Sequence, residues 1–172
     1  MFIWRIASAH LIAYFIAGVF ALFVMDYKTL YASDSLSMLM RPVDSPWVAL
    51  GPGLQVFRGI LLALVLLPIR NLIFGKYGYL KLMWLILGLC SLSTIGPTPG
   101  SFDGFIYTLL PVKYHLAGIP ETLLYILLFT GIIALWYKSG KKYLTMVFLI
   151  LSVFILVLSI RGTVYALQLQ NS

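Results

Sequence analysis

Five apolar segments, at about residues 6–25, 54–74, 80–95, 120–137 and 143–166, leave this chain little to fold into except a membrane. About 20 mostly apolar residues are needed to cross the hydrocarbon core as a helix. Helices also satisfy their own backbone hydrogen bonds where no water is available. The expected fold is all-α: one transmembrane domain over residues 1–172, a polytopic bundle of five spans. Composition agrees, with 62% of the 172 residues hydrophobic and 10% charged. Soluble domains carry roughly 45–50% apolar and about 25% charged residues.

The charges orient these spans. Asp26, Asp34, Asp44, Asp103 and Glu121 are the only acids, and with five spans all of them fall on one side. The loops on the other side carry Arg5, Arg70, Lys76, Lys81, Lys138, Lys141 and Lys142, and no acid. Short Lys- and Arg-rich loops stay in the cytoplasm. The N-terminus is therefore expected inside and the C-terminus outside, in a plasma (inner) membrane, with a prokaryotic one expected. The formal charge of +7 then reflects orientation and implies no nucleic-acid partner. Because the first apolar run exceeds the 7–15 residues of a secretory h-region and no small-residue cleavage site follows, it reads as a retained signal-anchor.

The connections carry their own expectations. Ser33-Asp34 reads as the cap of a short helix through Met40, stopped by Arg41-Pro42. Ser45-Pro46-Trp47 reads as an interfacial turn, and Gly51-Pro52-Gly53 as the opening of the second span. Pro68 is placed to kink that span near its inner end. The third span is short and ends in Ser91, Ser93 and Thr94. Gly96 to Gly104 reads as a rigid turn without a phosphate-loop signature. Residues 102–112 include an apolar run too short to span, expected as an interfacial or re-entrant segment.

The strongest functional signal is a set of charges. Arg58 and Arg161 each lie about one turn inside the outer end of a span as read here. Intramembrane charge is costly and usually faces the bundle interior with a partner. Asp103 and Glu121 are the nearest acids, and His115 lies in the same connection. These five residues are expected to form a polar pocket at the outer leaflet, floored by Ser91, Ser93 and Thr94. Two plainer readings stand beside it: arginines near helix ends snorkel to the headgroups, and an Arg–Asp pair can simply pin a loop.

Other residues carry less. His10 and His115 lie too far apart in depth to share a haem iron, so an interhelical hydrogen bond is the expected role of His10. One cysteine, Cys90, excludes an internal disulfide and a cysteine zinc site. With His115 and an outer arginine, Cys90 resembles the Cys, His and Arg set of exosortase-type membrane transpeptidases, in residue types only. An inert buried thiol is the plainer expectation. Asp103 and Glu121 can serve as a paired acid and base, although helix capping accounts for Glu121. No metal site and no cofactor are expected. Ala9, Ala13, Ala17 and Ala21 form a small-residue stripe, which brings helices close, either within the bundle or against another subunit.

Three functions follow, in this order. The first is a non-catalytic subunit, assembly factor or lipid- or ligand-binding module, with membrane lipids and a partner subunit or a second copy as its partners. The second is an intramembrane enzyme acting on a lipid-like or extracytoplasmic substrate. It would use His115, Asp103 or Glu121 as acid or base and the two arginines as an anion clamp. The third is an oligomeric transporter or channel.

Overall fold

The computed structural model describes residues 1–94, 96 and 98–170. Among them all regular structure is helical. Helix α1 spans Phe2–Val24, α2 Tyr27–Tyr31, α3 Pro46–Leu66, α4 Arg70–Phe74 and α5 Gly78–Leu87. Helix α6 spans Phe102–Tyr107, α7 Val112–Ala117, α8 Ile119–Ser139 and α9 Lys142–Gln170. Four segments are long and apolar enough to cross a membrane: Phe2–Val24, Pro46–Phe74, Val112–Ser139 and Lys142–Gln170.

Instead of a fifth full-length span, the third apolar segment is ten residues of α-helix followed by a five-residue π-helix, Gly88–Leu92. At about 1.5 Å per residue this covers roughly 22 Å, less than the ~30 Å hydrocarbon core. The segment still runs between the two ends of α8. Gly78, Tyr79 and Leu82 line a cavity with Tyr137 and Lys138, whereas Cys90 and Ser91 line another with Glu121 and Thr122. Its expected last residue, 95, and Pro97 of the following turn lie outside the described residues, as does the C-terminus beyond 170.

Contacts fix the direction of each helix. Gln55 meets His10 and Gly59 packs on Ala7, so α3 runs antiparallel to α1. His10 meets Tyr125 and Arg5 lies over Trp136, so α8 does too. Gly53 opposes Ser159 and Ala49 opposes Gly162, so α9 runs antiparallel to α3. Thus α1, α5 and α9 point one way and α3 and α8 the other. The seven cations from Arg5 to Lys142 named above gather at one end, where Phe74 stacks on Tyr137 at 3.8 Å and meets Phe2 at 5.7 Å. The five acids gather at the other.

Helix α1 is the central element and packs against α3, α8 and α9. In its apolar stretch 56% of residues are buried inside the bundle, against 22, 22 and 28% in the other three long segments. Ala9, Ala13 and Ala21 are 0% exposed and Ala17 is 2%. The stripe therefore lets α1 sit in the middle of its own bundle. It does not offer a face to a second subunit, because the chain's own helices already cover it.

Helix α3 begins earlier than the glycines and proline at 51–53 suggest. Ser45 is its N-cap and Pro46 opens the first turn, which places Pro52 inside the helix. A proline there lacks an N–H and crowds the preceding turn. Ser159 of α9 compensates: its hydroxyl donates to the Ala49 carbonyl at 2.8 Å and accepts from the Gly53 N–H at 3.1 Å. Neighbouring serines repair broken helix ladders in this way in membrane bundles. Near the other end Pro68 tightens the chain into a 3₁₀ turn, Leu67–Ile69, before α4 continues.

Residues 33–40 are a chain of turns rather than the short helix expected there. The helix of this loop is α2, capped by Asp26, whose carboxylate accepts from the Thr29 N–H. Residues 102–112 contain α6 and an extended link into α7. Phe102, Ile106, Tyr107 and Leu109 are exposed there, as suits a segment resting on lipid at the acidic end.

Candidate functional site

Polar residues at helical spacing converge on one cavity of about 450 Å³. Helix α1 contributes His10 and Tyr14, one turn apart, and α8 contributes Glu121 and Tyr125, also one turn apart. Arg58 comes from α3, while the π-helix delivers Cys90 and Ser91. A π-turn widens the helix and often marks a functional position. Here its signature is the Gly88 carbonyl, which accepts from both the N–H and the hydroxyl of Ser93, at 2.9 and 2.7 Å.

His10 anchors the back wall. Its Nε2 lies 3.0 Å from Oε1 of Gln55, and its Nδ1 lies 2.7 Å from the Tyr125 hydroxyl. A carboxamide oxygen only accepts, so Nε2 carries the proton and Nδ1 accepts from the tyrosine. Three helices are joined through this one side chain, which is 2% exposed. The expected interhelical role of His10 is what the geometry contains, although its partners were not legible beforehand.

Arg58 differs in kind. It lies about three turns, or ~18 Å, along α3, well below the one-turn depth expected, because α3 starts at Pro46. The residue is exposed and lines the cavity. Among the described residues it makes no hydrogen bond and no ion pair. Glu121 faces the same cavity from the first turn of α8, where its Oε2 accepts from the Tyr27 hydroxyl at 2.5 Å. Burial and then this bond push the Tyr27 phenol upward, while burial and then the Glu121 carboxylate push Tyr31 up to about 12. Both phenols stay protonated at neutral pH, so Tyr27 remains a donor to Glu121.

Tyr14 and Glu121 also form part of a second cavity of about 450 Å³ toward the acidic end, with Tyr27, Tyr31, Arg41 and Pro52. Arg41 lies 5.7 Å from the Trp47 ring centroid at this end.

The five-residue pocket expected from the sequence separates into three places. Arg58 and Glu121 share the cavity. Asp103 and His115 do not reach it, because they hold the 96–115 connection together. Asp103 accepts from the Gly96 N–H at 2.9 Å. His115 is 2% exposed and accepts from the Gly100 N–H at 3.1 Å, with its ring stacked on Phe105 at 4.2 Å. Gly96 and Gly100, at φ of 112° and 83°, supply the left-handed backbone this loop needs. Arg161 is exposed on α9 and lines neither cavity, so its long stem is free to carry the charge toward the headgroups. Of the expected floor only Ser91 remains, since the hydroxyls of Ser93 and Thr94 bond back to their own helix.

Cys90 is exposed and lines the cavity, contrary to the buried thiol expected. It lies at the middle of the π-helix. The set that resembles the exosortase-type arrangement is not assembled, because His115 lies in the 96–115 connection. Asp103 and Glu121 likewise lie on different sites and do not pair. Among the described residues no group of three or more His, Cys, Asp and Glu is placed to hold a metal. No protein family, curated protein or solved structure matches this chain.

Proposed function

We propose that this protein is a non-catalytic membrane module that binds a phosphate-bearing amphiphile in the Arg58 cavity. The observation that carries the reading is the guanidinium of Arg58, without a hydrogen bond or ion pair among the described residues, on a membrane-spanning helix and lining a cavity of ligand size. Specific small-molecule sites are typically ~300–1,000 Å³. An unpaired charge at membrane depth is costly, and an anionic group bound there offsets that cost. Arginine's fixed fork of donors suits phosphate oxygens.

The walls suit the rest of a lipid. Leu61, Leu62 and Val65 continue the cavity from Arg58 toward the basic end. Leu61 and Val65 are exposed, and α3 and α5 flank the cavity without packing tightly on each other. A lipid can enter sideways there with its headgroup at Arg58 and its chain toward the basic end. With the basic end in the cytoplasm of a plasma membrane, as short basic loops dictate, that lipid belongs to the outer leaflet.

A second reading, an intramembrane enzyme, draws on the Cys90 thiol in the same cavity. It is weaker because the only imidazole there, His10, already has both nitrogens in hydrogen bonds. It is therefore not a free base for the thiol.

Native mass spectrometry of the gently extracted protein tests the proposal. Wild type should retain phosphate-bearing lipid, and Arg58→Ala should lose it. The same variant should melt within about 2 °C of the lipid-free wild type, because no partner is left unpaired; a broken structural ion pair would instead cost several kcal/mol. Equal lipid retention by both proteins would rule the proposal out.

A further inference from the structure

We infer that the headgroup bound in this cavity is a zwitterion, with its phosphate on Arg58 and a primary ammonium on Glu121. This rests on the reading of the cavity as an amphiphile site and adds which amphiphile it selects. Arg58 and Glu121 line the same cavity but form no ion pair with each other. Two opposite charges lining one cavity attract each other, so the fold is what holds them apart. Gly59, next to Arg58, packs directly on the Ala7 backbone and fixes α3. Tyr125, one turn below Glu121, is tied to His10 and fixes α8. Tyr27 holds one carboxylate oxygen of Glu121 in place.

What is left over on each side is complementary to such a ligand. Every guanidinium donor of Arg58 is free among the described residues, and Oε1 of Glu121 accepts no hydrogen bond there. A phosphate satisfies the first, and an ammonium with N–H donors satisfies the second. A phosphate joined to an uncharged alcohol leaves Glu121 unanswered and sets two negative groups in one cavity. A trimethylammonium has no N–H to give the carboxylate. Phosphoethanolamine has the required chemistry, either as a lipid headgroup or as a free molecule.

The test is competitive retention in detergent, read by native mass spectrometry, with equal amounts of phosphatidylethanolamine and phosphatidylglycerol of identical chains. Wild type should favour phosphatidylethanolamine by roughly tenfold, as one charge-assisted hydrogen bond allows. Glu121→Gln, which can still accept from Tyr27, should erase the preference while keeping lipid. Arg161→Ala, which removes a charge that lines neither cavity, should keep it. Retention that is lost in Arg58→Ala but shows no preference in wild type would overturn the zwitterion and leave the amphiphile site standing. Retention untouched by Arg58→Ala would overturn both. Soluble phosphoethanolamine identifies the source: displacement of lipid at matched concentration assigns recognition to the free headgroup, and failure to displace assigns it to the intact lipid.

Discussion

Gly59→Val should lower the melting temperature in detergent by roughly 6–12 °C. A Cβ at this position would lie 2.8 Å from the Cα and 3.0 Å from the carbonyl oxygen of Ala7. Those are backbone atoms of the central helix, so no side chain can swing aside. The helices must separate, and overpacking of this kind costs about 3 kcal/mol, with each kcal/mol worth roughly 2–4 °C in a chain of this length. Gly131→Ala supplies the control. An added Cβ there meets nothing within 4 Å, and alanine is the better helix former by about 1 kcal/mol, so that variant should melt at or above wild type. The Gly59 variant should also retain less lipid, since the crossing it disrupts positions Arg58. If Gly59→Val melted like wild type, α1 and α3 would not cross as closely as described.

His10→Leu should cost about 1–3 kcal/mol. Leucine fills much of the space but leaves the Tyr125 hydroxyl and the Gln55 carboxamide without their partner. Side-chain hydrogen bonds between membrane helices average about 0.6 kcal/mol and reach about 1.7, and two are lost here. Unpaired polar groups cost more than absent ones. Adding Gln55→Leu to His10→Leu should therefore recover part of the loss. Thermal unfolding of the single and double variants measures this directly, and a double variant that fell by the sum of both single losses would show that the two side chains are not coupled.

The helical fold was legible because it rests on long-range composition. Apolar runs mark the membrane segments, and the segregation of five acids from seven cations assigns which loops share an end. Local rules misplaced boundaries where a neighbouring helix overrode them. Gly51-Pro52-Gly53 reads as a helix start, yet Ser159, over a hundred residues away, bridges the turn around Pro52 and lets α3 begin at Pro46. That shift carried Arg58 from the rim to the depth of the cavity. In the third segment, Gly88 to Leu92 could not be distinguished from ordinary helix, because a π-turn has no strong composition.

The site was half legible. Charges inside apolar runs singled out Arg58, and the N-terminal position of Glu121 marked it. His10, Tyr14 and Tyr125 left a fainter trace, as polar residues one turn apart on the apolar helices α1 and α8. Asp103 and His115 were misassigned because a glycine-rich connection can satisfy its own polar side chains, and a sequence does not show where such a loop turns inward.

The most direct test of the cavity uses its natural reporter, Cys90, the chain's one cysteine. Maleimide alkylation of the purified, delipidated protein would be followed with and without micelles containing phosphatidylethanolamine and phosphatidylglycerol. If a phosphate-bearing amphiphile occupies the cavity beside Arg58, lipid should slow alkylation of wild type several-fold and leave the rate in Arg58→Ala unchanged. Equal slowing in both proteins, or none in either, would contradict the account.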